Sequence, residues 1–298
     1  MIDTRDEQWY ANRMKGIGGS EAAAVIGESE YRSPYDIWKI KTGRTTSNKD
    51  NKAMYAGRLL EPVIRDAYTD LTGDRVIIPG WKQHEKYPFI VGNIDGLVEE
   101  KQKIVEIKTS RYQWQEKPEY SNVPPDYFFQ VQHYLLLYDF EQADLIALFS
   151  GQDFKIYPIE ANKEIQSLMI QLYTDFWNKV VNDIRPEILT LSDVSDCYKK
   201  DVGTTCILSE ESVEATKAIK ECKEEIKRLQ ATIEEKELLI KKEMQLNAIG
   251  EYNKKTLVTW KSTNGRTYLD TERLKKERPE VYSEYSKKTN PTRSFNVK

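Results

Sequence analysis

The chain has 298 residues, 39% of them apolar and 31% charged, with 45 Lys/Arg against 48 Asp/Glu and a formal net charge of −3. That length supports one large domain or a domain with an appendage; no run of uncharged apolar residues is long enough to suggest a membrane span, and the opening Met1 to Glu7 lacks a hydrophobic signal core, so a cytoplasmic protein is expected. Cys197, Cys206 and Cys222 cannot all pair, and neither they nor His84 and His133 fall at zinc spacing, so reduced thiols and a packed His133 are expected.

Taken in chain order, Arg13 precedes a Gly-rich turn, Gly16-Ile17-Gly18-Gly19, which feeds a helix with Ser20 as its cap and Ala22 to Ala24 as good helix formers. Gly18 and Gly19 let a ligand approach the backbone closely. Amides at a helix start draw anions, and Arg13 stands where it can close a phosphate pocket with Ser20. A plain turn has the same composition. Ser33 and Pro34 open a second helix. A third runs from about Met54 to Leu71, with Leu60, Val63, Ile64, Ala67, Tyr68 and Leu71 as its apolar stripe. Glu61 lies at the edge of that stripe; it either looks toward the sheet or is an early-turn acid favoured by the helix dipole.

Strands are predicted near 76–78, 88–95 and 103–109. Gly96 after Asp95 reads as a tight turn. A Pro-containing loop leads to a helix over Asp126 to Tyr138, on which Gln130 and Tyr134 share a face. Strands near 145–149 and 154–159 and a helix over Lys163 to Asn182 follow. Residues 184–208 read as a connector. From Ser209 one charged helix runs to Gly250, with Ala215, Ile219, Cys222, Ile226, Leu229, Ile233 and Ile240 at alternating four-three spacing. It is either a short coiled coil or a helix packed on its own core. A strand at Thr256 to Trp260 and a basic helix at 270–278 close the chain. Residues 251–298 hold 12 Lys/Arg against 6 Asp/Glu. Such a basic end can meet phosphates, or simply be solvated.

The chemistry-bearing residues concentrate in two apolar segments, Phe89 to Asp95 and Ile104 to Lys108. A strand period of two puts Glu106 and Lys108 on one face, and a neighbouring strand brings Asp95 to them. Two acids beside an ammonium suit a hard divalent cation and a positioned water, which is the equipment for phosphodiester hydrolysis. A salt-bridged exposed strand would carry the same residues.

The segments Gly18 to Gly27, Tyr31 to Trp38, Gly57 to Pro62, Asn93 to Gly96, Val105 to Thr109 and Gln130 to Tyr134, in that order, resemble the YqaJ-like phage recombination nucleases. These belong with lambda exonuclease in the PD-(D/E)XK nuclease superfamily. The resemblance covers roughly residues 9–182, and the stretches Tyr268 to Asp270 and Pro279 to Tyr282 are also similar to family members. It implies a mixed α/β fold: a restriction-endonuclease-like core with a central mixed sheet flanked by helices over residues 1–190, and a long helix with a basic extension over 191–298. It implies that Asp95, Glu106 and Glu61 hold metal with help from the Ile107 carbonyl. Lys108 would serve the attacking water, and Gln130 would be the glutamine of the family's QxxxY signature, with Gln132 a weaker candidate. Arg13 and Ser20 would receive a 5′-phosphate. Ile94 stands where the nominal motif has proline. The expected activity is a Mg2+-dependent 5′–3′ exonuclease on double-stranded DNA ends, with Mn2+ able to substitute because oxygen ligands suit both ions. Its 3′ strands would go to a phage single-strand annealing protein, and a homotrimer is implied. An endonuclease on the same core and a non-catalytic DNA-binding adaptor are the alternatives; the survival of Glu61, Asp95, Glu106 and Lys108 together weighs against the adaptor.

Overall fold

The computed structural model describes residues 7–46, 51–288 and 292–297; Met1 to Asp6, read for a signal segment, and Asn290, Pro291 and Lys298 of the basic end lie outside them. The chain divides into two units, Met1–Cys197 and Tyr198–Lys298.

The first unit opens with α1 (Glu7–Met14), which the sequence reading did not predict, then α2 (Ala22–Ile26), α3 (Pro34–Lys41) and α4 (Lys52–Thr72). Ser33 caps α3 by accepting the Asp36 amide at 3.1 Å. Ser20 caps nothing: it sits inside a single 3-10 turn, Gly19–Glu21, and α2 starts only at Ala22. The Gly18 amide, expected to face an anion, is taken by Glu21 Oε2 at 3.0 Å.

A short ribbon of β1 (Trp81–Gln83) and β2 (Val91–Asn93) stands apart from the main sheet, whose order is β3 (Gly96–Val98), β4 (Lys103–Ser110), β5 (Gln142–Phe149) and β6 (Asp153–Glu160). The expected strand 88–95 therefore breaks after Asn93, and Asp95 lies where the chain passes from ribbon to sheet. Gly96 starts β3 and is no turn residue; a Cβ there would come within 2.3 Å of Val76 Cγ1, so it serves close approach. Residues 76–78 contribute only the bridge Ile77–Leu97. Helix α5 (Pro125–Tyr138) carries the crossover from β4 to its parallel neighbour β5; β6 returns antiparallel and α6 (Lys163–Val181) follows.

Alternation along β4 and β5 feeds two cores. Ile104, Leu145 and Ala147 join a large cluster with α2, α3, α5 and α6, whereas Val105, Ile107, Ile146 and Leu148 pack on Ile64 and Tyr68 of α4. The stripe of α4 is narrower than its spacing suggests, with Val63 and Leu71 exposed. The sequence boundary at 190 shifts because the expected connector holds α7 (Leu191–Cys197). Buried Asp193 accepts the Ser33 hydroxyl at 2.8 Å and Asp196 takes Lys39 Nζ at 2.5 Å, tying that helix to α3.

In the second unit, α8 (Glu210–Met244) ends at Met244, six residues before the expected stop, because Gly250 pairs with Val258 in the hairpin β7 (Ile249–Tyr252)–β8 (Lys255–Thr259). Two short helices, α9 (Thr271–Glu277) and α10 (Pro279–Tyr285), follow. Ile226, Leu229 and Ile233 are each more than half exposed, so the stripe of α8 is not packed on a core of its own.

Candidate active site

Strand β4 supplies the centre of the site. Its period of two sends Val105 and Ile107 toward α4 and turns Glu106 and Lys108 toward α5. Glu106 is 1% exposed, and its Oε1 accepts Lys108 Nζ at 2.6 Å and Gln130 Nε2 at 2.6 Å. Its Oε2 is buried and has no hydrogen-bond partner. Gln130 Nε2 also meets the Tyr134 hydroxyl at 3.2 Å, joining the two α5 residues one turn apart. Asp95 reaches β4 from the ribbon–sheet passage, and its Oδ2 accepts the Ile107 amide at 2.9 Å. It is thus the amide of Ile107 that meets Asp95. Glu61, on α4, is gripped by Arg65 one turn on, and Arg65 Nε also donates to the Asp95 carbonyl at 3.0 Å.

The electrostatics follow from bringing three carboxylates together, with Glu106 buried and the Glu61 side chain 32% exposed. Burial, reinforced by Asp95, pushes the Glu106 carboxyl up to about 8 despite Lys108. Burial also raises Asp95 against the pull of Lys108 and the Ile107 amide, and burial with Asp95 raises Glu61 against Arg65. Burial alone would lower Lys108; Glu106 and Asp95 outweigh it and hold the ammonium above its ordinary range.

Among the described residues no three His, Cys, Asp or Glu side chains stand at joint metal-ligating distance. Each carboxylate is turned onto an internal donor: Glu61 onto Arg65, Asp95 onto the Ile107 amide, and Glu106 onto Lys108 and Gln130. The donor set nevertheless fits a hard divalent cation. It is all oxygen, burial and mutual repulsion raise its carboxyls above their ordinary range, and Glu106 Oε2 is an acceptor without a donor.

A cavity of about 210 Å³ opens beside this centre, lined by Arg13, the Gly18–Ser20 turn, Trp81, Asp95 and Tyr134. It brings Arg13 and Ser20, predicted as a pair, to the same space as Asp95. Arg13 donates to the Ser20 hydroxyl at 3.3 Å and pairs with buried Glu21 at 3.0 Å. Gln132 is elsewhere: its Nε2 donates to the Glu160 carbonyl at 2.7 Å and its Oε1 accepts the Asn162 amide at 2.9 Å, a structural role. His133 is packed, as its place on an apolar helix suggested. Nε2 meets the Val91 carbonyl at 3.0 Å and Nδ1 the Tyr173 hydroxyl at 3.2 Å, so Nε2 carries the proton.

Arg65, Glu21 and Lys41 were not foreseen in the sequence, whereas Tyr134 was placed on the face of Gln130. Arg65 was findable, four residues after Glu61 on one helix. Lys41 carried no signal, because its partner is on another element.

Residues 8–141 match the YqaJ-like viral recombinase domain. The chain is 31% identical over 310 residues to the uncharacterized protein YqaJ of Bacillus subtilis, covering 99% of this chain and 94% of that one. A stretch of 81 residues is 33% identical to Protein D345L of African swine fever virus, 26% of this chain and 24% of that protein. Among solved structures, the fold is similar to the alkaline exonuclease LHK-Exo of Laribacter hongkongensis, with a TM-score of 0.50 and 21% identity over 60% of this chain and 94% of that one. The same enzyme in complex with dAMP gives a TM-score of 0.50 at 22% identity, with the same coverage. The mixed sheet flanked by helices is similar in fold to that exonuclease. With its whole length aligned to YqaJ and its first half matching the domain, the chain belongs to the YqaJ-like viral recombinase family.

Proposed function

We propose that this chain is a divalent-cation-dependent exonuclease that digests one strand of double-stranded DNA from its 5′ end. One observation carries the reading: Asp95, joined to the Glu106–Lys108 pair through the Ile107 amide, lines the same cavity as Arg13 and Ser20. A cation held by Glu61, Asp95 and Glu106, Mg2+ or in its place Mn2+, would supply Lewis acidity for phosphodiester hydrolysis. Lys108 orients the attacking water and offsets charge building on the phosphate oxygens. Gln130 pins one Glu106 oxygen and leaves Oε2 for the ion. Arg13 and Ser20 hold a terminal 5′-phosphate, which sets the polarity of digestion. The remaining 3′ strand suits a single-strand annealing protein, and a homotrimer around the duplex would keep an acidic chain on DNA.

Linear duplex carrying a 5′-phosphate on one labelled strand tests activity, polarity and end preference together. With Mg2+, the phosphorylated strand should disappear first. Lys108→Ala and Asp95→Ala should each slow digestion by about 100-fold or more while the far-ultraviolet dichroism is kept. Undiminished digestion by Lys108→Ala sinks the assignment. Cutting of closed circular DNA would turn the reading to an endonuclease, and binding without digestion would turn it to an adaptor.

A further inference from the structure

Behind the cavity lies an ion pair that the chemistry above does not use. Glu21 is fully buried, and Lys41, at the end of α3, has a fully buried side chain. Glu21 Oε1 accepts Arg13 Nε at 3.1 Å; Oε2 takes the Gly18 amide at 3.0 Å and Lys41 Nζ at 2.6 Å. Lys41 Nζ also donates to the main-chain carbonyl of Arg13 at 2.7 Å. Arg13 is thus fixed twice, by its guanidinium through Glu21 and by its backbone through Lys41. The Gly18 amide ties the cavity-lining turn to the same carboxylate. On the far side, Arg32 donates to the Ser20 carbonyl.

Stability is a poor reason for this arrangement. Taking two ions out of water is expensive, and an apolar pair of similar volume often folds as well or better. What an apolar pair would lose is direction: a carboxylate with donors on both oxygens holds a guanidinium in one plane, and a long arginine side chain left unsupported samples many rotamers. Glu21 grips the guanidinium and Lys41 the main chain of one residue, Arg13, which lines the cavity with Ser20 and Asp95.

We infer that Glu21 and Lys41 are positioning residues for Arg13, holding its guanidinium ready for a terminal phosphate before DNA arrives. The inference rests on the nuclease reading for its substrate, a 5′-phosphorylated DNA end. Neither residue touches the reacting atoms. Their effect falls on discrimination between end types, because only a phosphorylated end engages Arg13.

The test compares initial digestion rates on otherwise identical duplexes with a 5′-phosphate or a 5′-hydroxyl, for wild type, Glu21→Gln, Lys41→Met and Lys41→Arg. The wild type should favour the phosphorylated end. Glu21→Gln and Lys41→Met should each reduce that preference roughly tenfold or more, mainly through KM. Lys41→Arg, which keeps the charge, should recover part of it. An unchanged preference in Glu21→Gln or Lys41→Met overturns the inference. So does loss of folding in both, which would make the pair structural. If the wild type digests neither end, the nuclease reading has failed. The inference then stands or falls on fluorescence anisotropy of the same two duplexes without added metal: tighter wild-type binding of the phosphorylated end, lost in Glu21→Gln, supports it, and equal binding overturns it.

Discussion

Tyr134 is held between two residues that lack side chains. A Cβ at Gly19 would lie 2.5 Å from Tyr134 Cε1, and one at Gly92 would lie 2.8 Å from it. The ring fills the space, and its hydroxyl meets Gln130, which holds Glu106. Gly19→Ala should therefore push the ring away from Gln130. The expected result is digestion slowed about tenfold or more and stability lowered by about 1–3 kcal/mol, measured by product release and denaturant unfolding. Gly18→Ala is the contrast, since its Cβ would meet only Glu21 Oε2 at an ordinary 3.7 Å, and it should fold normally. Equal behaviour of the two variants would rule out the contact with Tyr134 as the reason for Gly19. The glycines announced a close approach, but the sequence pointed to a ligand, and the approaching group is a ring from α5. The pairing of Glu106 with Lys108 was legible because both lie on one strand with a period of two. The pairing of Glu21 with Lys41 was not, because no local period connects a 3-10 turn to the end of α3.

Among the elements, α4 departs most from an ideal helix, with Pro62 inside it directly after Glu61. Proline removes the amide that would bond the Arg58 carbonyl and restricts the backbone of the residue before it, which here is a proposed metal ligand. Pro62→Ala should restore that bond and raise stability by about 1–3 kcal/mol. It should also let Glu61 shift relative to Asp95 and slow digestion by about tenfold to 100-fold, since small misplacements of catalytic groups are costly. Thermal unfolding and digestion measured on one preparation check both; a variant that gains stability and keeps full activity shows that the proline has no part in placing Glu61. Long elements with caps and stripes, such as α4, α5 and α6, were legible almost to their ends. The strand over 88–95 was not, since leaving a ribbon for a sheet requires a break that alternating apolar residues do not encode. The exposed stripe of α8 shows the converse: four-three spacing marks an apolar face without saying what covers it.

For the molecule as a whole, buried ionisable groups make stability depend on pH in opposite directions, and the site is the origin of one of them. His133 is held down to about 4 by burial against an ordinary 6.5, so between those values the unfolded chain binds more protons. Its share is complete above pH 6.5 and is lost as pH falls to 4, about 3 kcal/mol in all. Glu21 is lowered to about 2, burial being outweighed by Lys41 and Arg13; its share is complete above 4.5 and is lost below it. Glu106 runs the other way. With its carboxyl raised to about 8, the folded protein binds more protons between 4.5 and 8, so its share is present below 4.5 and drains away as pH rises. Between 4.5 and 6.5 the slopes of His133 and Glu106 oppose each other, and stability should fall on both sides of that window. Glu106→Gln removes the alkaline limb. It should be more stable than the wild type at pH 8 by a few kcal/mol, with the difference gone by pH 4.5. Millimolar Mg2+ at pH 8 should stabilise the wild type, because a bound cation lets Glu106 ionise, and should leave Glu106→Gln nearly unchanged. Urea unfolding from pH 3 to 9, with and without Mg2+, measures all of this without an activity assay. Identical wild-type and Glu106→Gln curves at pH 8 would mean that Glu106 is not the strained acid at the centre of the site.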